Sequence, residues 1–141
     1  GIVLYNTELE VVLSCCNIKA TQNDKRAENY WFRIIKKLNG LIEYCGNNKD
    51  ELVVNNAKKF SKYDLIFIDA SHEYKDVKKD FEIYSKMINK NGLIILHDIN
   101  LSSSGSKKFW NEIKKKFKKH QIKEIIFNKY HYSFGYGIVL F

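Results

Sequence analysis

The chain has 141 residues, 45% hydrophobic and 28% charged, which is enough apolar side chain for one packed domain of ordinary size and too much for a disordered one. Three cysteines cannot build a disulfide framework, and no apolar run reaches the roughly 18–20 residues of a membrane helix. The net charge of +8 rests on 22 Lys against 2 Arg, with many Asn and Ile and no Pro. That bias matches the codon usage of an A+T-rich genome, and the scarcity of Arg, which forks onto phosphates and bases, argues against a nucleic-acid face.

In chain order, Leu9 to Cys16 reads as a strand. Asp24 to Leu38 reads as a helix with Ala27, Trp31, Ile34 and Leu38 on one side, broken by Gly40. Leu41 to Cys45 is a short strand, Gly46 to Asn48 a turn, and Asp50 to Phe60 a helix carrying Leu52, Val53 and Ala57. Tyr63 to Asp69 is an apolar run of the kind buried on both faces of a sheet. Val77, Phe81, Tyr84 and Ile88 set a helical stripe over Lys75 to Asn89, which Asn91-Gly92 should stop. Gly92 to His97 is a second buried strand, Ser102 to Gly105 a loop, and Ser106 a possible cap for a helix bearing Phe109, Trp110, Ile113 and Phe117. Ile122 to Phe127 and Gly137 to Phe141 are strands flanking an aromatic loop, Tyr130 to Phe134. Cys15, Cys16 and Cys45 fall in or beside apolar segments without metal-ligand spacing, and read as small buried hydrophobes in a reducing cytoplasm. The run Lys114 to Lys119 keeps its lysines off the apolar stripe and reads as a solvated face.

This alternation predicts a single α/β domain over residues 1–141: an open, doubly wound, mostly parallel sheet covered on both faces, with the strand at 64–69 beside that at 93–97 and a C-terminal antiparallel edge strand. Ligands bind such sheets beyond the carboxyl ends of the strands. That rule selects Asn17, the turn Gly46, Asn47 and Asn48, the loop Asp69 to His72, and His97 to Asn100. Asp69 and Asp98 end consecutive strands, so their carboxylates can converge on one point, where hard oxygens suit Mg²⁺ or Mn²⁺. The alternative is that each Asp caps the helix after it. His72, three residues after Asp69, is a candidate general base near neutral pH or else a solvent-facing loop residue.

The segment DLIFIDASHEYKDVKKD, from Asp64 to Asp80, resembles class I S-adenosylmethionine-dependent methyltransferases of a subgroup with D-x-x-H-x-Y-x-x-V after the fourth strand. The likeness continues through NGLIILHDI at 91–99, KFWNEI at 108–113 and GYGI at 135–138. The resemblance implies a Rossmann-like fold, S-adenosylmethionine as cofactor and, for some members, a divalent metal. It implies methyl transfer to a hydroxyl of a small molecule, a saccharide or natural product. Asn17, Gly46, Asn47, Asn48 and Asp69 take the cofactor-binding positions, His72 and Asp98 the catalytic ones, and Asp69 with Asp98 the metal position.

Two departures matter. Asn17 and Asn47 stand where the family commonly has an acidic residue. Gly1 to Asn6 holds no G-x-G turn, so the reading expects a domain whose first strand and glycine-rich turn are absent from this chain. That leaves a second reading, a methyltransferase-fold binding or structural module without catalysis. A third, nucleic-acid methylation, lacks the Pro-containing segment such enzymes use after the fourth strand: Asp69-Ala-Ser-His72 stands there instead.

Overall fold

The computed structural model describes residues 2–6, 11–15, 41–45, 49, 51–59, 62–69, 71–102, 104–129 and 132–141. Its organising pair is formed by the two apolar runs, β4 (Tyr63–Ile68) and β5 (Ile88–His97). They pair in parallel, with Leu65 opposite Leu93 and Ile68 opposite Leu96. Between them lies α2 (Tyr74–Tyr84), the crossover that a parallel pair requires. The remaining elements are β1 (Ile2–Asn6), β2 (Val11–Cys15), β3 (Leu41–Cys45), α1 (Glu51–Lys59), α3 (Gly105–Lys116), β6 (Ile122–Lys129) and β7 (Tyr132–Leu140). Seven strands make one sheet in the order β3-β2-β1-β4-β5-β7-β6.

One face of the sheet packs on α2 and α3. Ile66, Ile68, Ile94, Leu96 and Val139 meet Val77, Phe81 and Tyr84 of α2 and Phe109, Trp110 and Ile113 of α3, all buried. Phe81 and Phe109 join the two helices edge to face, 5.5 Å between ring centres. Trp110 lies flat against β7, where a Cβ on Gly137 would come within 2.7 Å of its ring, so only glycine lets the indole that close. Its Nε1 donates to Glu124 on the neighbouring edge strand at 2.5 Å. Tyr63 anchors α1 by donating its hydroxyl to the Ala57 carbonyl at 2.6 Å.

The doubly wound α/β fold is as expected, and so are the neighbouring strands 64–69 and 93–97. Three expectations are corrected. The helix anticipated to Asn89 stops at Tyr84, a single 3-10 turn spans Ser85–Met87, and Ile88 opens β5 opposite Tyr63. Ile88 satisfies a helical stripe and a buried strand equally well, which is why periodicity misplaced the boundary. Asn91, with φ of 68°, turns the strand without ending it. Its N–H donates to the Phe141 carbonyl at 2.9 Å, and Phe141 N–H returns to the Gly92 carbonyl at 3.0 Å. At the C-terminus, β7 is antiparallel as expected but lies between β5 and β6, so β6 forms the edge and the aromatic loop is shorter than predicted. The cap of α3 is Ser104, two residues before the expected Ser106, which is buried inside the helix.

Ile2–Asn6 lies at the centre of the sheet, with Ile2 and Leu4 fully buried. It runs antiparallel to both neighbours, Ile2 lying opposite Cys15 on β2 and Ile68 on β4. Five strands therefore point one way and two, β1 and β7, the other. Because β1 is reversed, its Asn6 end meets the start of β2, at the rim opposite Asp69. The helix expected at 24–38 and the turn at 46–48 lie outside the described residues.

Candidate functional site

Asp69 and Asp98 sit just past the ends of β4 and β5. The parallel register decides which side chains they meet. Phe67 lies opposite Ile95, and two residues further on the same face come Asp69 and His97. His97 Nδ1 lies 3.4 Å from Asp69 Oδ1 and 3.2 Å from Asp98 Oδ2. Asp98 has a φ of 56°, a left-handed conformation that Asp tolerates better than most residues.

His72 is brought in from the loop before α2. Its carbonyl accepts the N–H of Gly105 at 2.7 Å, so the start of α3 holds the loop that starts α2. The two backbones touch: a Cβ on Gly105 would lie 1.9 Å from the Tyr74 nitrogen. His72 Nε2 then sits 3.1 Å from Asp98 Oδ2 and 3.8 Å from Asp69 Oδ1. Ser104 ties the same corner together. Its oxygen accepts the Lys107 N–H at 3.2 Å, and its hydroxyl lies 3.1 Å from the Asp98 carbonyl and 3.0 Å from that of Leu101.

The cluster is half open to solvent: the His72 and Asp69 side chains are 46% and 39% exposed, those of His97 and Asp98 22% and 14%. Burial pushes the Asp69 carboxyl up, but the hydrogen bond from His97 and the charges of both imidazoles outweigh it and hold the carboxyl below its usual range. The hydrogen bond to Asp69 raises the His97 imidazole, against burial and with the help of both carboxylate charges. Beside the cluster, His97 stacks in a tilted arrangement on Tyr136, 5.1 Å between ring centres, and meets Phe67 edge-on at 6.2 Å.

The expected trio of Asp69, His72 and Asp98 thus comes together. His97, selected only as a strand-end residue, proves to lie within 3.4 Å of both carboxylates. The signal was available: pairing the two strands in register puts the residue before Asp98, on the face of Phe67 and Ile95, beside Asp69. Oxygen from two carboxylates and nitrogen from two imidazoles converge, and the donor atoms of Asp69, His72 and His97 lie within 4.8 Å of one another. This donor set fits a divalent cation, though not one confined to oxygen. Asn17, Gly46, Asn47 and Asn48 lie outside the described residues. The next position along, Lys49, faces Asp76 at 3.4 Å and the buried Asp80 at 3.7 Å, both on α2.

The family model described as "Methyltransferase domain" matches residues 4–99, more than half of the chain. The chain belongs to that methyltransferase-domain family. Among solved structures it is similar to the O-methyltransferase TomG from Streptomyces achromogenes, involved in tomaymycin synthesis and crystallised with SAM: 12% identity, TM-score 0.61, 91% of this chain and 60% of that one. It is also similar to an O-methyltransferase from Bacillus cereus crystallised with SAH: 17% identity, TM-score 0.50, 90% of this chain and 61% of that one. A short stretch of 35 residues is 46% identical to an uncharacterised protein of Acanthamoeba polyphaga mimivirus, covering 25% of this chain and 16% of that protein. The chain therefore spans about three fifths of the length of these solved structures. Among the described residues, no helix is long and apolar enough to cross a membrane.

Proposed function

We propose that this domain transfers a methyl group from S-adenosylmethionine to a hydroxyl of a small cytoplasmic molecule, a saccharide or another natural product, with His72 as the general base. The observation that carries the reading is His72 Nε2 at 3.1 Å from Asp98 Oδ2, on the ligand-binding rim of a methyltransferase-family sheet. Bound S-adenosylmethionine supplies a methyl on a positively charged sulfur. His72 accepts the acceptor's hydroxyl proton as the oxygen–methyl bond forms and the sulfur–methyl bond breaks. Asp98 orients the imidazole and stabilises its protonated form, while Asp69 and His97 fix the Asp98 side of the site. Asn17, Gly46, Asn47, Asn48 and Asp69 hold the cofactor. A divalent ion, Mg²⁺ or Mn²⁺ by the sequence expectation, held at Asp69 and Asp98 would lower the pKa of a coordinated hydroxyl. The complexes of the two solved O-methyltransferases with SAM and SAH support the choice of cofactor.

The reversed β1 favours a second reading, a binding module without catalysis. The Asn6 end of this central strand lies at the rim away from Asp69. One experiment separates the two: calorimetric titration with S-adenosylmethionine, followed by turnover against a panel of hydroxyl acceptors. Binding with turnover that falls about a hundredfold or more in His72→Ala is the expected result. Binding without turnover of any acceptor selects the module.

A further inference from the structure

From the four-donor cluster at the ends of β4 and β5 we infer a tetrahedral site for a zinc-type divalent ion, selective against Mg²⁺. The inference concerns this chain's own side chains and stands without the methyl-transfer reading.

The argument begins with geometry. The two imidazole nitrogens and two carboxylate oxygens define four nitrogen-to-oxygen edges: 3.1 and 3.8 Å from His72 Nε2, 3.2 and 3.4 Å from His97 Nδ1. A tetrahedral ion with bonds of about 2.1 Å has edges of about 3.4 Å, in the middle of that range. An octahedral ion with bonds of about 2.0–2.1 Å needs adjacent edges near 2.9 Å, below all four. The donor atoms of Asp69, His72 and His97 lie within 4.8 Å of one another, so side-chain rotation has to draw them inward around an ion of the first shape. The second would require every pair to close up.

Chemistry points the same way. Mg²⁺ takes oxygen and keeps much of its water, whereas imidazole is a favoured ligand of Zn²⁺ and of Co²⁺, Ni²⁺ and Cu²⁺. Two of the four donors here are imidazole nitrogens, one on each side of the carboxylate pair. The two carboxylates carry two negative charges, which a divalent ion cancels. The partial exposure of His72 and Asp69 leaves a way in for the ion. Such an ion would occupy the nitrogen that His72 otherwise offers to a proton, so a zinc-loaded site and a free base exclude each other.

The test uses the whole chain, freed of metal, and needs no cofactor. Calorimetric titration should show one Zn²⁺ per chain, bound at least about a hundredfold more tightly than Mg²⁺. Co²⁺ should give the intense visible bands of four-coordinate cobalt, without the near-ultraviolet bands of a thiolate ligand. His97→Ala should weaken Zn²⁺ by about tenfold or more, and His97→Glu, which replaces nitrogen by oxygen, should narrow the gap between Zn²⁺ and Mg²⁺. Should His97→Ala fail to fold, His72→Ala and Asp98→Asn read the same loss, with the melting temperature of the metal-free variants as the control. Mg²⁺ binding as tight as Zn²⁺, cobalt–thiolate bands from Cys15, Cys16 or Cys45, or Zn²⁺ affinity unchanged in folded His72→Ala and Asp98→Asn variants would each overturn the proposal.

Discussion

Two clusters of carboxylates flank α2, and they are neutralised by different partners. On the helix itself, the half-exposed Asp76 of the first turn and the fully buried Asp80 face the ammonium of Lys49. Ahead of its first turn, Asp69 and Asp98 face the imidazoles of His72 and His97. An ammonium holds its proton throughout the neutral range, so the first cluster can only hold elements together. It ties the segment after β3 to the crossover helix. An imidazole gives up and regains its proton near neutral pH or trades it for a metal, so the second cluster can do chemistry. The same carboxylate serves structure or reaction according to the base beside it.

Substitutions can break this contrast. The largest expected effect is on the imidazole side: His72→Ala should lower methyl-transfer rates about a hundredfold or more, yet leave unfolding free energy within about 0.5 kcal/mol in urea titrations. On the ammonium side the balance reverses. Lys49→Met should cost about 3 kcal/mol of stability, because Asp80 loses a counter-charge in a place with no access to water. Adding Asp80→Leu to Lys49→Met should restore most of that loss. If the double variant is no more stable than the single one, the pair does not act as a structural neutraliser.

Two smaller effects sharpen the picture. Ser104→Ala removes both the cap of α3 and the hydroxyl near the Asp98 carbonyl, and should cost about 1 kcal/mol in the same titrations. Glu124 gives the smallest effect. The hydrogen bond from Trp110, opposed by slight burial and aided by Lys114, lowers its carboxyl below the usual value of 4.5. The folded state therefore gains from the ionised form. That gain is fully present above pH 4.5 and is lost as pH falls through the lower folded value. Because Glu124 is 38% exposed, solvent screening keeps the gain well under 1 kcal/mol. Glu124→Gln should flatten the acid limb of the stability profile between about pH 5 and pH 3 and leave it unchanged at pH 7.

Much of this architecture was readable from local pattern. The apolar runs of β4 and β5 are too short and too uniformly hydrophobic to be anything but buried strands once helices flank them, and Phe109, Trp110 and Ile113 mark the buried side of α3 without ambiguity. Pattern failed where one residue satisfies two periods, as Ile88 does, or where two serines compete for one cap, as Ser104 and Ser106 do. It failed more deeply at β1. Nothing in Ile2–Asn6 says that its partners are β2 on one side and β4 on the other, because antiparallel pairing at the sheet centre is decided by the whole sheet and not by five residues. For the site, strand ends located Asp69, His72 and Asp98. His97 needed the register as well, a relation between two segments that no single segment carries.

The parallel pairing of β4 with β5 also governs when the site can come into being. A parallel pair forms only after its crossover has closed, so Asp69 and His97 meet late and through a long loop, at an entropic cost that local contacts do not share. Neither half of the cluster exists in a hairpin or an isolated helix. A slip of one residue between the strands would send His97 to the face of α3 while Asp69 stayed behind. The cluster therefore reports on correct strand pairing: a folding intermediate with helices formed but the crossover unclosed has the right residues and no site.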